Sequence, residues 1–199
     1  MVFFVTEAKH LGRMTYAEYL TLERASEVKH EYVNGEVYAM AGGTPDHGRL
    51  AMNVGGILRA ALVGKPCAVF NSDVRVRIEA TGRSTYPDPS VVCGRLARAE
   101  DDADAIVNPI LLVEVLSDST EAADRGEKFA HYRRLPSLRE YVLVSQNTQR
   151  LEVFRRREGG GWVLSEASRG ETVRLESIDV TLPVDEVYHD PLGSESGVG

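Results

Sequence analysis

One segment constrains this chain more than any other: Ile110-Leu111-Leu112-Val113-Glu114-Val115-Leu116, an apolar run with a single acid inside it. Its length and its aliphatic and β-branched content read as a buried strand, the most apolar in the sequence and therefore central in a sheet. An ionised carboxylate in low dielectric is costly unless it is paired or binds a metal. Glu114 thus demands either a partner cation or a raised pKa. Asp88 stands 26 positions earlier in Tyr86-Pro87-Asp88-Pro89, directly before the apolar Val91-Val92-Cys93. Lys128 stands 14 positions later, in a stretch that reads as a helix. An Asp at one strand, a Glu in the next and a nearby Lys can together hold a divalent metal and neutralise a phosphate.

Local signals surround this centre. Thr15 followed by Glu18 fits a capping box opening a helix that runs to about Glu23. Asn34-Gly35 between alternating apolar residues marks a β-hairpin. Thr44 and Pro45 suit the N-cap and first position of a long helix ending near Leu62. Its interior Gly55-Gly56 costs roughly 1 kcal/mol per residue against Ala, which points to close packing on the sheet. Val74 to Ile78 alternates as a strand with Arg75 and Arg77 on an exposed face; Thr81 to Ser84 reads as a turn, and Asp88 to Cys93 as the next strand. Arg98 to Asp104 reads as an acidic surface loop, and Glu121 to Leu135 as a helix that Pro136 ends. Strands at Glu140–Val144, Arg150–Phe154 and Gly161–Leu164 form a meander. The layout predicts an α/β (α+β) fold: a central mixed sheet flanked by the 45–62 and 121–135 helices, preceded by a helix and hairpin. A single domain over 1–190 and a frayed tail over 191–199 follow.

Composition excludes several classes. At 199 residues and 43% hydrophobic content the chain can bury one real core. No apolar run approaches the roughly 20 residues that span a bilayer, and Met1 to Glu7 lacks the basic start of a secretory signal. Cys67 and Cys93 form no zinc quartet and read as buried reduced thiols, so a soluble cytoplasmic protein is expected. The net charge of -7 opposes tight non-specific binding of nucleic acid. The charge is uneven, because nine Lys/Arg against five Asp/Glu between Asp124 and Glu158 leave a local +4.

Phosphodiester hydrolysis needs a metal that binds phosphate and acidifies a water. Mg²⁺ keeps several waters and needs only one or two carboxylates, and a Lys beside it can orient the water or stabilise developing charge. Asp88, Glu114 and Lys128 supply that set, with the Val115 carbonyl as a further oxygen ligand. Asp124, Lys128 and His131 or Tyr132 share one helix face, so Tyr132 would line the site or pack beneath it. Glu36 beside the hairpin and His47 in the first turn of the long helix are accessory candidates.

Pro87-Asp88 followed by Glu114-Val115-Leu116 resembles the PD-(D/E)XK nuclease signature, with Leu116 where the final Lys is expected. The chain is similar to the restriction-endonuclease branch of that superfamily, in which the Lys has moved to the following helix. The resemblance rests on Val113-Glu114-Val115-Leu116-Ser117, Asp124-Arg125-Gly126-Glu127-Lys128, Tyr132, Leu138-Arg139-Glu140-Tyr141, His30 to Glu36 and Pro45-Asp46-His47. It spans roughly Met14 to Asp190. It implies a restriction-endonuclease-like fold and Mg²⁺- or Mn²⁺-dependent cleavage of DNA, with Asp88 and Glu114 holding metal and Lys128 positioning the nucleophile. A homodimer would suit cleavage of a duplex. The acidic net charge and the displaced Lys favour the alternative, a nuclease-fold binding or scaffold protein with little catalysis. A carboxylate-pair glycosidase needs a sugar-sized cleft, for which the lone Trp162 offers little.

Overall fold

Turn chemistry and capping set most element boundaries in the computed structural model, which describes residues 9–40 and 42–193. β1 (His10–Arg13) leads into α1 (Tyr16–Ala25). The Thr15 hydroxyl accepts the Glu18 N–H while the Glu18 carboxylate accepts the Thr15 N–H, closing the expected capping box. β2 (His30–Val33) and β3 (Glu36–Ala39) meet at Asn34-Gly35, whose φ values of 49° and 101° are left-handed and suit those two residues. α2 (Pro45–Ala61) starts at Thr44, whose hydroxyl accepts the His47 N–H at 3.1 Å. β4 (Cys67–Phe70), β5 (Arg75–Ile78), β6 (Arg83–Thr85), β7 (Ser90–Cys93), β8 (Ala105–Ile106) and β9 (Leu111–Leu116) follow. Then come α3 (Glu121–Ala123), a π-helical turn (Asp124–Lys128) and α4 (Phe129–Tyr132). The chain continues through β10 (Glu140–Ser145), β11 (Arg150–Arg156), β12 (Trp162–Ser168), β13 (Thr172–Leu175), β14 (Val180–Pro183) and α5 (Val184–Val187).

The mixed sheet runs β12-β11-β10-β9-β7-β4, with β9 central. β9 pairs parallel with β10, placing Glu114 opposite Leu143, and antiparallel with β7. Side chains alternate across it. Leu111, Val113 and Val115 pack with Leu50, Val54 and Leu58 of α2 and with α5 and the β13–β14 hairpin. Leu112 and Leu116 pack with Phe129, Tyr132, Tyr141 and Leu143 on the other face. Both faces are therefore dry, and Glu114 on the second is only 4% exposed. A second six-stranded sheet, β1-β3-β2-β6-β5-β8, adds to the expected sheet and brings the hairpin to the site.

Several local expectations change. Arg75 and Arg77 are buried, not exposed. Arg75 makes a bidentate pair with Asp102 at 2.8 Å per bond and donates to the Tyr86 hydroxyl at 2.9 Å, so the acidic 98–104 loop folds inward to meet a cation. The Arg77 guanidinium lies 3.7 Å from the Tyr16 ring centroid. Arg83 and Ser84 belong to β6, and the turn before them is a 3₁₀ turn at Glu79–Thr81. Asp88 precedes β7 and does not open it. Cys67 and Cys93, which β4–β7 pairing sets directly opposite, are half-buried and joined as a disulfide; the expected reduced thiols are absent. A Cβ added at Gly55 would sit 4.0 Å from the Pro89 ring, an ordinary contact, and one at the exposed Gly56 would meet nothing, so the expected close packing on the sheet requires neither glycine. No helix among the described residues is long and apolar enough to cross a membrane. The Met1 to Glu7 segment and residues 194–199 of the expected tail lie outside the described residues.

Two substitutions probe this packing. Leu58→Ala, at a fully buried α2 position, should lower unfolding free energy by about 2–5 kcal/mol. Gly56→Ala should raise it by about 0.5–1 kcal/mol, since an alanine fits and the helix gains propensity. Denaturant midpoints test both, and a destabilising Gly56→Ala would show that this turn of α2 is not simply solvent-facing.

Candidate active site

β9 carries Glu114 inward because alternation in a strand sends every second side chain to one face. On that face the α3–α4 segment returns across the sheet, and its π turn directs Asp124 and Lys128 at Glu114. The Lys128 ammonium lies 2.9 Å from Asp124 Oδ1, 3.2 Å from Glu114 Oε1 and 3.5 Å from Glu31 Oε1. Tyr132, one helical turn on, donates to Glu114 Oε1 at 2.6 Å. The Tyr141 hydroxyl donates to the Asp124 carbonyl at 3.1 Å and fastens the π turn to β10. His131 instead lies 3.7 Å from Glu127, so Tyr132 is the member of the helix face that reaches the site.

Asp88 arrives from the Pro87-Asp88-Pro89 corner. Its Oδ2 accepts the Val115 N–H at 2.8 Å and lies 3.3 Å from His47 Nε2. The Val115 backbone enters the site through its N–H, as the anchor of Asp88. His47 is placed by the Thr44 cap at the start of α2 and remains 24% exposed in its side chain. Glu36 stands apart, bound to His10 at 2.5 Å and Arg13 at 3.2 Å of the neighbouring edge strand β1. Glu31 occupies the position among the acids that Glu36 was expected to share. It is held by Arg83 at 2.8 Å and by the Thr85 hydroxyl, and it faces Lys128.

Burial raises the Glu114 carboxyl to about 8; Lys128 opposes this, while Asp124 and Asp88 add to it. Burial alone would lower the Lys128 ammonium, but Glu114, Glu31 and Asp124 hold it well above its usual value. Glu31 is below the usual carboxylate range despite burial, because Lys128 and Arg83 flank it. Burial and Glu114 keep the Tyr132 hydroxyl protonated and donating. The hydrogen bond to Asp88 raises His47. Both alternatives posed by an acid inside an apolar strand are thus realised, a partner cation and a raised pKa.

Four carboxyl groups (Glu31, Asp88, Glu114 and Asp124) face Lys128, Arg83 and His47. Asp124 Oδ1 is buried and, apart from its ion pair with Lys128, has no aligned hydrogen bond. Among the described residues no three His, Cys, Asp or Glu side chains form a ready-made cage. A hard ion such as Mg²⁺ needs only one or two carboxylates and its own waters. An oxygen donor set with surplus acid and a buried carboxyl near neutrality fits that requirement.

Glu31, Arg83 and Asp124 are the members not assigned from sequence. Glu31 carried a signal, an acid in the strand that leads into the Asn34-Gly35 turn. Asp124 was visible only as a neighbour of Lys128 on the helix face, and Arg83 sits in a stretch whose residues read as a turn.

Comparison with known proteins places the chain among similar sequences and folds. The chain is 35% identical over 176 residues to the uncharacterized protein slr1290 of Synechocystis sp., covering 88% of this chain and 92% of that one. It is 33% identical over 163 residues to the uncharacterized protein sll1609 of the same organism, covering 82% and 92%. Its fold matches the crystal structure of "a putative nuclease belonging to DUF820" from Anabaena variabilis ATCC 29413, with a TM-score of 0.72, 18% identity, and coverage of 88% of this chain and 97% of that chain. The family model Uma2, described as "Putative restriction endonuclease", matches residues 16–185. The family-model match over most of the chain and the mixed α+β fold place this protein in the Uma2 family of restriction-endonuclease-like proteins.

Proposed function

We propose that the protein is a divalent-metal-dependent endonuclease that hydrolyses DNA phosphodiester bonds at the Asp88–Glu114–Lys128 centre. The observation that carries this reading is the placement of Lys128. Leu116 cannot supply the cation expected after Glu114-Val115, yet an ammonium from the π turn stands 3.2 Å from Glu114. π turns inside helices occur frequently at functional sites.

Asp88 and Glu114 would hold the ion, Asp88 with one oxygen already oriented by the Val115 N–H and His47. A bound divalent ion supplies charge neutralisation at the phosphate and acidifies a coordinated water. Lys128 stabilises the charge that develops as the phosphate is attacked and helps orient the nucleophile. Glu31, Asp124 and Tyr132 fix the positions of Lys128 and Glu114, and burial limits the wrong geometries each can take. His47 reaches solvent and donates to Asp88 or to a phosphate. Mg²⁺ or Mn²⁺ suits the oxygen donors. A two-fold dimer would present one such centre to each strand of a duplex.

A second reading has its own observation. Lys128 already has three carboxylate partners and the chain is acidic overall, which also describes a binding or scaffold protein whose ion-pair cluster is structural. Cleavage separates the two. With Mg²⁺ or Mn²⁺ the protein should nick and linearise plasmid DNA. EDTA, Asp88→Ala and Glu114→Ala should abolish this, and Lys128→Ala should slow it by about 10²-fold or more. Absence of cleavage with every metal, together with no metal binding by calorimetry, leaves the scaffold.

Glu114 also sets a pH dependence. Its folded pKa of about 8 lies above the ordinary 4.5, so the bound proton favours the folded state. That contribution is complete below about 4.5 and is lost as pH rises through about 8. In EDTA, the wild-type protein should lose stability relative to Glu114→Gln across this window, and Mg²⁺ should stabilise the wild type more at pH 9 than at pH 6. Parallel stability curves for the two proteins would show that Glu114 is ionised throughout.

A further inference from the structure

Away from the acid centre, a row of arginines crosses the same face of the sheet. Arg156 stands opposite Trp162 in the β11–β12 ladder. On its other side, the Arg156 N–H donates to the Arg139 carbonyl at 2.8 Å, continuing the β10–β11 register in which Glu140 pairs with Arg155. Arg139, Arg156 and Trp162 therefore form one cross-strand row. Arg139 lies four residues before Leu143, the partner of Glu114. By strand parity it projects on the Glu114 face, about 13 Å further along.

The row joins the end of the helical segment. The Arg156 guanidinium donates to the carbonyls of Arg133 and Leu135 at 2.8 Å each and lies 4.8 Å from the Trp162 ring centroid. The Arg133 guanidinium lies 5.1 Å from the Phe129 ring, whose centroid is 5.2 Å from that of Trp162. Arg133 and Arg139 are exposed and Trp162 is half-buried. Among the described residues none of the three guanidiniums has a carboxylate partner, whereas Arg75, Arg83, Arg125 and Arg155 each have at least one. Arg156 Nε is buried with no acceptor. The nearest acids in sequence are Glu140, which follows Arg139 but is buried and paired with Arg155, and Glu158, exposed in the β11–β12 turn.

Like charges directly opposite on paired strands repel. Burial and the Arg139 charge together lower the Arg156 pKa, as expected of unscreened cations. A chain of net charge -7 has acids enough to neutralise this surface, yet among the described residues none is paired with these three guanidiniums. Guanidinium groups match phosphate oxygens bidentately, and an adjacent aromatic ring offers a stacking surface for a base.

We propose that Arg133, Arg139 and Arg156, with Trp162 beside Arg156, form a nucleic-acid backbone contact separate from the acid centre. The choice of nucleic acid as the polyanion rests on the nuclease reading; the unpaired cationic surface does not. Arg156 also binds the terminal helix carbonyls, so the informative variant is Arg133→Gln/Arg139→Gln, two exposed side chains without hydrogen bonds.

Binding of a fluorescein-labelled DNA duplex is followed by anisotropy in EDTA across a salt series, with circular dichroism as the control for folding. The double variant should bind about 10-fold or more weakly at low salt, with the slope of log affinity against log salt smaller by about two. Arg133→Lys/Arg139→Lys should retain most of the slope. Affinity and slope unchanged in the Gln variant, no binding by the wild type at any salt, or binding of polyglutamate in preference to the duplex would each overturn the proposal. Patch-dependent binding by a wild type that neither cleaves DNA with any metal nor binds metal would instead uphold the contact and defeat the nuclease reading.

Discussion

The ammonium of Lys128 among the carboxyl groups of Glu31, Glu114 and Asp124 is the interaction on which the middle of this molecule depends. Each of those acids is buried or nearly so, and removing the cation would leave charge in a medium that cannot solvate it. The four residues come from three separate parts of the chain: the hairpin strand, the central strand and the π turn. The cluster therefore ties the second sheet and the helical segment to the main sheet at one point. Burial and the neighbouring acids also raise the Glu114 carboxyl, so that a proton there relieves part of the excess negative charge.

The surrounding fold explains why such a site is tolerated. β9 is dry on both faces, with α2 and the C-terminal hairpin below and the aromatic group of Phe129, Tyr132 and Tyr141 above. That packing supplies the stability against which a strained electrostatic centre can be held. The second sheet handles its own charges by the same rule. Arg75 and Asp102 are buried together as a bidentate pair, and Arg77 is covered by an aromatic ring. Charged residues in this chain are inside where a partner of suitable geometry meets them.

Charge on the surface follows a different logic. The local excess of arginines between Asp124 and Glu158 is partly neutralised in the fold, because Arg125 turns to Glu152 and Arg155 to Glu140. Among the described residues, what remains unpaired lies at the end of the helical segment, just before β10 and at the end of β11. Net charge therefore describes this molecule poorly, since an acidic total coexists with an acid cluster that is mostly buried and a cationic row that is not.

Much of the architecture was legible in short-range terms. The Thr15 and Thr44 caps, the Asn34-Gly35 hairpin, the central apolar strand and the Asp88, Glu114 and Lys128 constellation all depend on residues within a few positions of one another or on a recognisable ordered motif. Burial of Arg75, Arg77 and Asp102 was not legible, because whether a charge is inside depends on a partner supplied by a distant loop. The Cys67–Cys93 bridge required strand register, and the exchange of Glu36 for Glu31 required knowing which face of the hairpin turns inward. The sequence by itself determined the local elements and the chemistry available to the site, because capping, turn formation and hydrophobic alternation act over short spans of chain. Only the tertiary structure decided which acids surround Lys128 and which arginines stay unpaired, because electrostatic partners are chosen by proximity in space.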